Sequence, residues 1–331
     1  MGNMNFAPVI VFNYNRPEHS MRTWEALSRN QFASETELYL YCDGSKDGAS
    51  EEMKRTIASL HEQARQYAVD AKAAGKFKDA HVVCAERNKG LANSIIGGVT
   101  EVIEKHGRVI VLEDDLLTSP YFLKYMNTAL DYYQNYSGVM SISANRPPMS
   151  KMQIPADYEY DVFACLRSYS TGWATWRDRW SKVDWTMDDF ERCKRNPDML
   201  RALNRLGEDF APMMQMQADG KIDSWAVRFG FSHFKNHSVA ILPCKSYVTN
   251  IGFDGTGTHS GTIAKTYEND LSQSVENPRF LDVVYEDDRI INAFYSSFYP
   301  KRRPLWKKAV NFIVRKLGKK PPFVIKKKVY E

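Results

Sequence analysis

The run Val111-Leu112-Glu113-Asp114-Asp115-Leu116-Leu117 constrains this chain more than any other segment. Val109 to Leu112 form a short apolar stretch suited to a buried strand. Three acidic side chains follow without a break, and Thr118-Ser119-Pro120 is then expected to open a helix. Adjacent carboxylates repel one another, so something positive must sit among them. A strand that delivers them to its carboxyl end places them where open α/β sheets bind ligands. A divalent cation with hard oxygen ligands, itself bound to a phosphate, is one such partner. A solvated acidic turn at the amino end of the next helix is the bland alternative.

The segments before the triplet alternate. Pro8 to Asn13 is an apolar run ending in Asn-Tyr-Asn-Arg-Pro17, and helical spacing follows through Met21, Trp24 and Leu27. Glu37 to Cys42 is a second strand ending in Asp43-Gly44, before a long polar helix over about 50–74. His81 to Cys84 is a third, ending in Glu86-Arg87-Asn88-Lys89-Gly90, and a helix over Leu91 to Lys105 leads to the acidic strand. Strand and helix alternating in this way predict an α/β fold: a Rossmann-like, mostly parallel sheet flanked by helices. After about residue 143 the order breaks. A proline-bearing loop over 144–160, a strand at Val162 to Leu166, an aromatic helix start at Thr171 to Trp180, helices over about 188–236 and a strand at Val239 to Leu242 are expected. One domain is predicted, with a nucleotide-binding half (1–143), an acceptor-binding and catalytic half (144–300) and a basic amphipathic tail (301–331).

Charge sets the tail apart. The formal net charge is +5, yet residues 301–331 carry twelve Lys or Arg against Glu331 alone, which leaves the body mildly acidic. That argues against a nucleic-acid-binding body and for a tail with its own partner. Leu305, Trp306, Ala309, Val310, Ile313 and Leu317 recur at three- and four-residue steps among lysines and arginines. Such a segment suits an anionic membrane surface. A solubilising tail, or a helix docked on the body or another subunit, is the alternative. Cys42, Cys84, Cys165, Cys193 and Cys244 have no paired CxxC spacing and read as reduced thiols. With no signal peptide and no bilayer-length apolar run, the expected location is the cytoplasm, peripheral at the inner face of the membrane.

Four loops at strand ends are chemically complementary. Asn13, Asn15 and Arg16 offer amide and guanidinium groups, and Asp43 can accept from an imide N–H or a ribose hydroxyl, with Gly44 admitting a planar ligand. Arg87 and Lys89 can meet phosphate, and Asp114 and Asp115 can hold a metal upon it. Each loop alone is ordinary turn chemistry. Together they describe a site for a nucleoside diphosphate.

Asn13-Tyr14-Asn15-Arg16-Pro17, Tyr41-Cys42-Asp43-Gly44-Ser45 and Asn88-Lys89-Gly90-Leu91 are similar to the pattern of family-2 inverting glycosyltransferases of the A-type fold. Glu113-Asp114-Asp115-Leu116 resembles the N-acetylglucosaminyltransferase I branch, as do Gly172-Trp173, Asp223-Ser224-Trp225-Ala226-Val227-Arg228 and Gly255-Thr256-Gly257-Thr258-His259-Ser260-Gly261. The resemblance spans about residues 7–262. It departs at Ser224, where that branch has a second Asp, which leaves open which acid is the base.

The resemblance implies a metal-dependent inverting glycosyltransferase. Asp115 would hold Mn²⁺ (or Mg²⁺), supported by Glu113 and Asp114. Asp223 would take the acceptor's proton, with Asp209, Asp188 and Asp189 as alternatives and a helix cap as the bland reading. Gly172 and Trp173 would meet donor or acceptor, although Trp173, Trp176 and Trp180 at helical spacing also suit a core face. His259 would approach metal or phosphate from a loop that closes over the donor. The expected partners are a UDP-sugar and a glycan or polyprenyl-linked glycan acceptor, in bacterial surface polysaccharide synthesis. A nucleotidyltransferase and a non-catalytic glycan- or membrane-binding protein are the alternatives.

Overall fold

A computed structural model describes residues 5–148, 152–252 and 269–298, with 310, 312–314 and 316 of the tail. In chain order the elements are β1 (Val9–Asn13), α1 (Pro17–Ser28), β2 (Glu37–Cys42), α2 (Glu51–Ala73), β3 (Asp79–Cys84), α3 (Leu91–His106), β4 (Arg108–Glu113), β5 (Leu116–Thr118), α4 (Phe122–Tyr132) and β6 (Val139–Ser143). There follow β7 (Val162–Cys165), β8 (Trp173–Trp176), α5 (Arg177–Trp180), α6 (Asp188–Cys193), α7 (Pro197–Leu203), α8 (Phe210–Ala218), α9 (Trp225–Lys235), β9 (Val239–Pro243), β10 (Val248–Asn250) and α10 (Asp288–Phe298).

The central sheet has eight strands in the order β3-β2-β1-β4-β8-β6-β9-β7. β3, β2, β1 and β4 are mutually parallel. β8 runs antiparallel between β4 and β6, β6 and β9 are again parallel, and β7 closes the edge antiparallel. Residues from both sides of position 143 therefore share one sheet. All five residues of β1 are buried, as expected of a strand covered on both faces. Alternation divides them: Val9 and Val11 face Trp24, Leu27, Leu60 and Tyr67, whereas Ile10 and Phe12 face Ile95, Val99 and Ile103. β4 repeats the pattern, with Ile110 and Leu112 on the first face and Val109 and Val111 on the second.

Two local expectations are corrected. The triplet is followed first by a short strand, because β5 pairs antiparallel with β10. Thr171 to Trp180 does not start as a helix: Trp173 to Trp176 form β8, and only Arg177–Trp180 are helical. The aromatic spacing is a core stack instead. Trp173, 2% exposed, lies 4.8 Å from Trp225 and 5.7 Å from Trp180, ring centre to ring centre. Gly172 makes the turn into β8 with φ +70°, and a Cβ there would sit 3.3–3.5 Å from Ala144, Val248 and Leu112. Both constraints favour glycine. Gly172→Ala should cost about 1–2 kcal/mol in a denaturant titration; an unchanged midpoint would contradict the assigned backbone.

Candidate functional site at the carboxyl edge of the sheet

β1 to β4 end on one edge, and β4 delivers Glu113, Asp114 and Asp115 there. The positive partner comes from the neighbouring strand's loop. Arg16, just before α1, places Nη2 2.5 Å from Asp114 Oδ1 and 3.1 Å from Asp115 Oδ2. The Tyr14 N–H donates to Asp114 Oδ2 at 3.4 Å, and the Thr23 hydroxyl donates to the Asp114 carbonyl at 2.9 Å. Asp115 is fixed from the other side, its carbonyl accepting from the Ile251 N–H at 2.9 Å. Gly252 follows, and a Cβ there would lie 2.2 Å from Asp115 Oδ2 and 2.8 Å from Arg16 Nη1. A side chain there would have to displace the Asp115 carboxylate and the Arg16 guanidinium.

Arg16 Nη1 is buried and has no hydrogen-bond acceptor among the described residues. An orphaned guanidinium N–H next to two aspartates costs free energy unless a ligand oxygen or a water accepts from it. It is the most direct sign of a binding function at this edge.

The local electrostatics are uneven. Burial pushes the Glu113 carboxyl up to about 8, with the charges of Asp115 and Asp114 adding to the shift against Arg16. Burial also raises Asp114, to about 6, although Arg16 pulls it down. For Arg16, burial favours the neutral form, but the two aspartates outweigh it and hold the guanidinium charged.

The other expected residues occupy distinct roles. Asn13 is 4% exposed and fully engaged: Nδ2 donates to the Val11 and Tyr41 carbonyls, and Oδ1 accepts from Trp24 Nε1. It knots the end of β1 and presents nothing to a ligand. Asn15 is half-buried against Met53. Asp43 is likewise committed. Its Oδ1 accepts from the Gly44 and Lys89 N–H groups at 2.9 and 2.8 Å, and its Oδ2 from Asn88 Nδ2 and the Gly90 N–H at 3.0 and 3.1 Å. Asp43 is thus a clasp for the loop after β3, in place of the expected free acceptor. Gly44 also differs from expectation: the atoms it admits are the backbone of Ala85 and Arg87, within 2.6–2.8 Å of a virtual Cβ. The clasped loop holds Arg87 and Lys89 with their side chains exposed.

Gly172 and Trp173 serve the turn and the core. Their side-chain positions face Ala144, Leu112 and the aromatic stack, so neither meets a ligand through its side chain. Asp223 is exposed, and its Oδ1 accepts from Arg228 Nη2 at 2.8 Å. Ser224, not Asp223, caps α9 by accepting from the Val227 N–H. Since Trp225 stacks on Trp173 at the start of β8, Asp223 lies at the carboxyl edge. Asp209 forms a two-pronged ion pair with Arg167 at 2.7 and 3.0 Å. Asp188 and Asp189 border a cleft of about 470 Å³ near Lys235, just before β9, at the opposite, amino-terminal edge. Topology removes both as bases for chemistry at the triplet. His259 lies outside the described residues.

A polar recess of about 40 Å³, lined by Asn145, Arg146, Tyr169, Thr171, Asn250 and Asn269, adjoins the same edge through Asn250 and Gly252. Asn145-Arg146 follow a strand, β6, just as Asp114-Asp115 follow β4, and that repetition is the signal the sequence carries.

The fit of a divalent ion can be judged from the donors. Asp114 is engaged by Arg16 and Tyr14, and among the described residues no three His, Cys, Asp or Glu side chains are grouped as a cage. Asp115 offers a hard oxygen shared, among the described residues, only with Arg16. That suits an ion that arrives on a phosphate and keeps water in its shell, not one held by protein alone.

No family model matches this chain, and no curated protein does. Among solved structures, S. aureus TarS 1–349 overlaps 73% of this chain and 59% of its own, at 12% identity and a TM-score of 0.41. The same protein in complex with UDP-GlcNAc overlaps 73% and 57% at 13% identity, also with a TM-score of 0.41. A UDP-glucose pyrophosphorylase complexed with UDP-glucose overlaps 72% and 90% at 11% identity, with a TM-score of 0.39. The chain thus spans about 59% of the TarS fragment's length.

The raised carboxyl of Glu113 makes a stability prediction. Its folded pKa lies above the ordinary 4.5, so the folded state holds a proton that the unfolded chain sheds. This contribution is full below about pH 4.5 and is lost as pH rises through about 8. Glu113→Gln removes the loss. Its melting temperature relative to the parent protein should climb across that window by on the order of a few degrees. Parallel melting curves from pH 4 to 9 would refute the assignment.

Proposed function

We propose that this protein transfers a sugar from a nucleotide sugar, a UDP-sugar in our reading, to a hydroxyl of a glycan or lipid-linked glycan. The reading assigns it an A-type glycosyltransferase fold, inversion at the anomeric carbon and a place in bacterial surface polysaccharide synthesis. One observation carries the reading: a partly buried guanidinium is held between two aspartates at the sheet edge, with its buried Nη1 left for an incoming oxygen.

The chain's own groups divide the work. Arg16 Nη1 donates to a diphosphate oxygen, and the exposed Arg87 and Lys89 add positive charge from the neighbouring loop. Asp43 acts one step back, by clasping that loop. Asn15 stands beside Arg16 in the same turn. Asp223, exposed and oriented by Arg228, accepts the acceptor hydroxyl's proton as its oxygen attacks. Asp115, with Asp114 and Glu113 in support, would hold Mn²⁺ or Mg²⁺, which when bound offsets charge building on the leaving diphosphate. The polar recess around Asn145 and Asn250 offers amide groups suited to sugar hydroxyls.

The tail joins the proposal as the contact to an anionic membrane surface. Its described residues are helical, and Phe312 and Ile313 are 61% and 56% exposed. Exposed apolar side chains in a lysine-rich segment are suited to the headgroup boundary. No helix among the described residues is long and apolar enough to cross a membrane.

Nucleoside diphosphate release across a panel of nucleotide sugars with added Mn²⁺ tests the activity. Asp115→Ala should lower turnover at least about a hundredfold and weaken donor binding. Asp223→Asn should retain donor binding and lower transfer by about 10²–10⁴; undiminished transfer would move the base elsewhere. Truncation after residue 300 should leave activity on a soluble acceptor intact and reduce flotation with anionic liposomes; equal flotation would remove the membrane role.

A further inference from the structure

Cys42 and Cys84 end adjacent parallel strands and are register partners. Neighbouring strands lie about 4.8 Å apart, inside the Cα separation that a disulfide spans. Both side chains lie on the α2 face of the sheet, Cys42 in the core and Cys84 packed at its margin. β3 is the outer strand of the sheet, so its end can shift toward β2 without displacing a further neighbour.

The environment makes the two thiols unequal. The neighbouring Cys42 thiol favours the Cys84 thiolate, with His61 and Arg65 of α2 reinforcing the shift against burial and the Glu62 charge. Cys42, which is buried, is pushed in the other direction by Cys84 and by its burial, with Asp114 adding to the rise and Arg65 opposing it. Cys165, Cys193 and Cys244 are buried, and burial raises each of them. Cys84 is the one cysteine of the five that is only partly covered.

We propose that Cys84 and Cys42 form a peroxide-reactive dithiol in which Cys84 is the nucleophile and Cys42 resolves it. The Cys84 sulfur attacks one oxygen of a hydroperoxide and the O–O bond breaks. With hydrogen peroxide, hydroxide leaves as water and Cys84 becomes a sulfenic acid. The Cys42 sulfur then attacks that sulfur, the S–O bond breaks, and the departing hydroxide takes the Cys42 proton. Two thiols and one peroxide give one disulfide and two waters. The bond joins the strand ends that carry Asp43 and Ala85, so it would constrain the loop presenting Arg87 and Lys89. The pairing is independent of the nucleotide-sugar reading.

Peptide mass spectrometry on the folded, full-length protein tests it. Stoichiometric hydrogen peroxide should link the Cys42 and Cys84 peptides with loss of two hydrogens, and dithiothreitol should reverse the link. Cys84→Ser should abolish the reaction. Cys42→Ser should leave a sulfenic acid at position 84 that dimedone traps. Iodoacetamide should label Cys84 ahead of the other cysteines, with a pH midpoint below the ordinary thiol range. Cys84 passing to sulfonic acid in the parent protein without a cross-link, or reacting only after unfolding, would overturn the proposal.

Discussion

The bridge from Arg16 to Asp114 and Asp115 joins the loop after β1 to the tip of β4, and the candidate site is arranged around it. Three successive acids at a strand end would otherwise force that end apart. A partly buried guanidinium lets them stay, at a desolvation cost that the pairing only partly offsets. Removing one member of such a pair typically costs about 3–5 kcal/mol, because the remaining charge is stranded. The arrangement is therefore a poor device for stability alone. It holds two carboxylates and a guanidinium at fixed separations before any ligand arrives, and such preorganisation lowers the cost of binding a charged group.

The sheet explains why the remaining groups gather there. Parallel β1 to β4 send every following loop to one edge, and antiparallel β8 begins at that edge while β6 ends there. Asn145, Thr171 and the Trp173–Trp225 stack consequently reach the same region from the second half of the chain. Two tight passages keep the edge compact. Gly44 is crossed by the 85–87 backbone, and Gly252 passes Asp115 and Arg16. Neither position tolerates a Cβ without displacement of what it touches.

The sequence made the strands and the acidic tip legible because both are local. Apolar runs of four to six residues between polar loops need no distant information, and β1 to β4 match them closely. Partnerships were illegible where they join distant residues. That the cation among the acids is Arg16, about a hundred positions away, follows only from the pairing of β1 with β4. Asp43 read as an available acceptor because its donors at 88–90 come from another βα unit. Trp173, Trp176 and Trp180 misled for a different reason: a strand followed by one helical turn can mimic three- and four-residue spacing. Asn145 and Arg146 also follow a strand, but neither residue alone suggests chemistry.

A crystal structure with a nucleoside diphosphate and manganese tests the central claim most directly. Our account predicts a diphosphate oxygen accepting from Arg16 Nη1, beside Asp115, with the 85–90 loop still clasped by Asp43. A nucleotide bound elsewhere, with the orphaned guanidinium nitrogen satisfied by water alone, would contradict it.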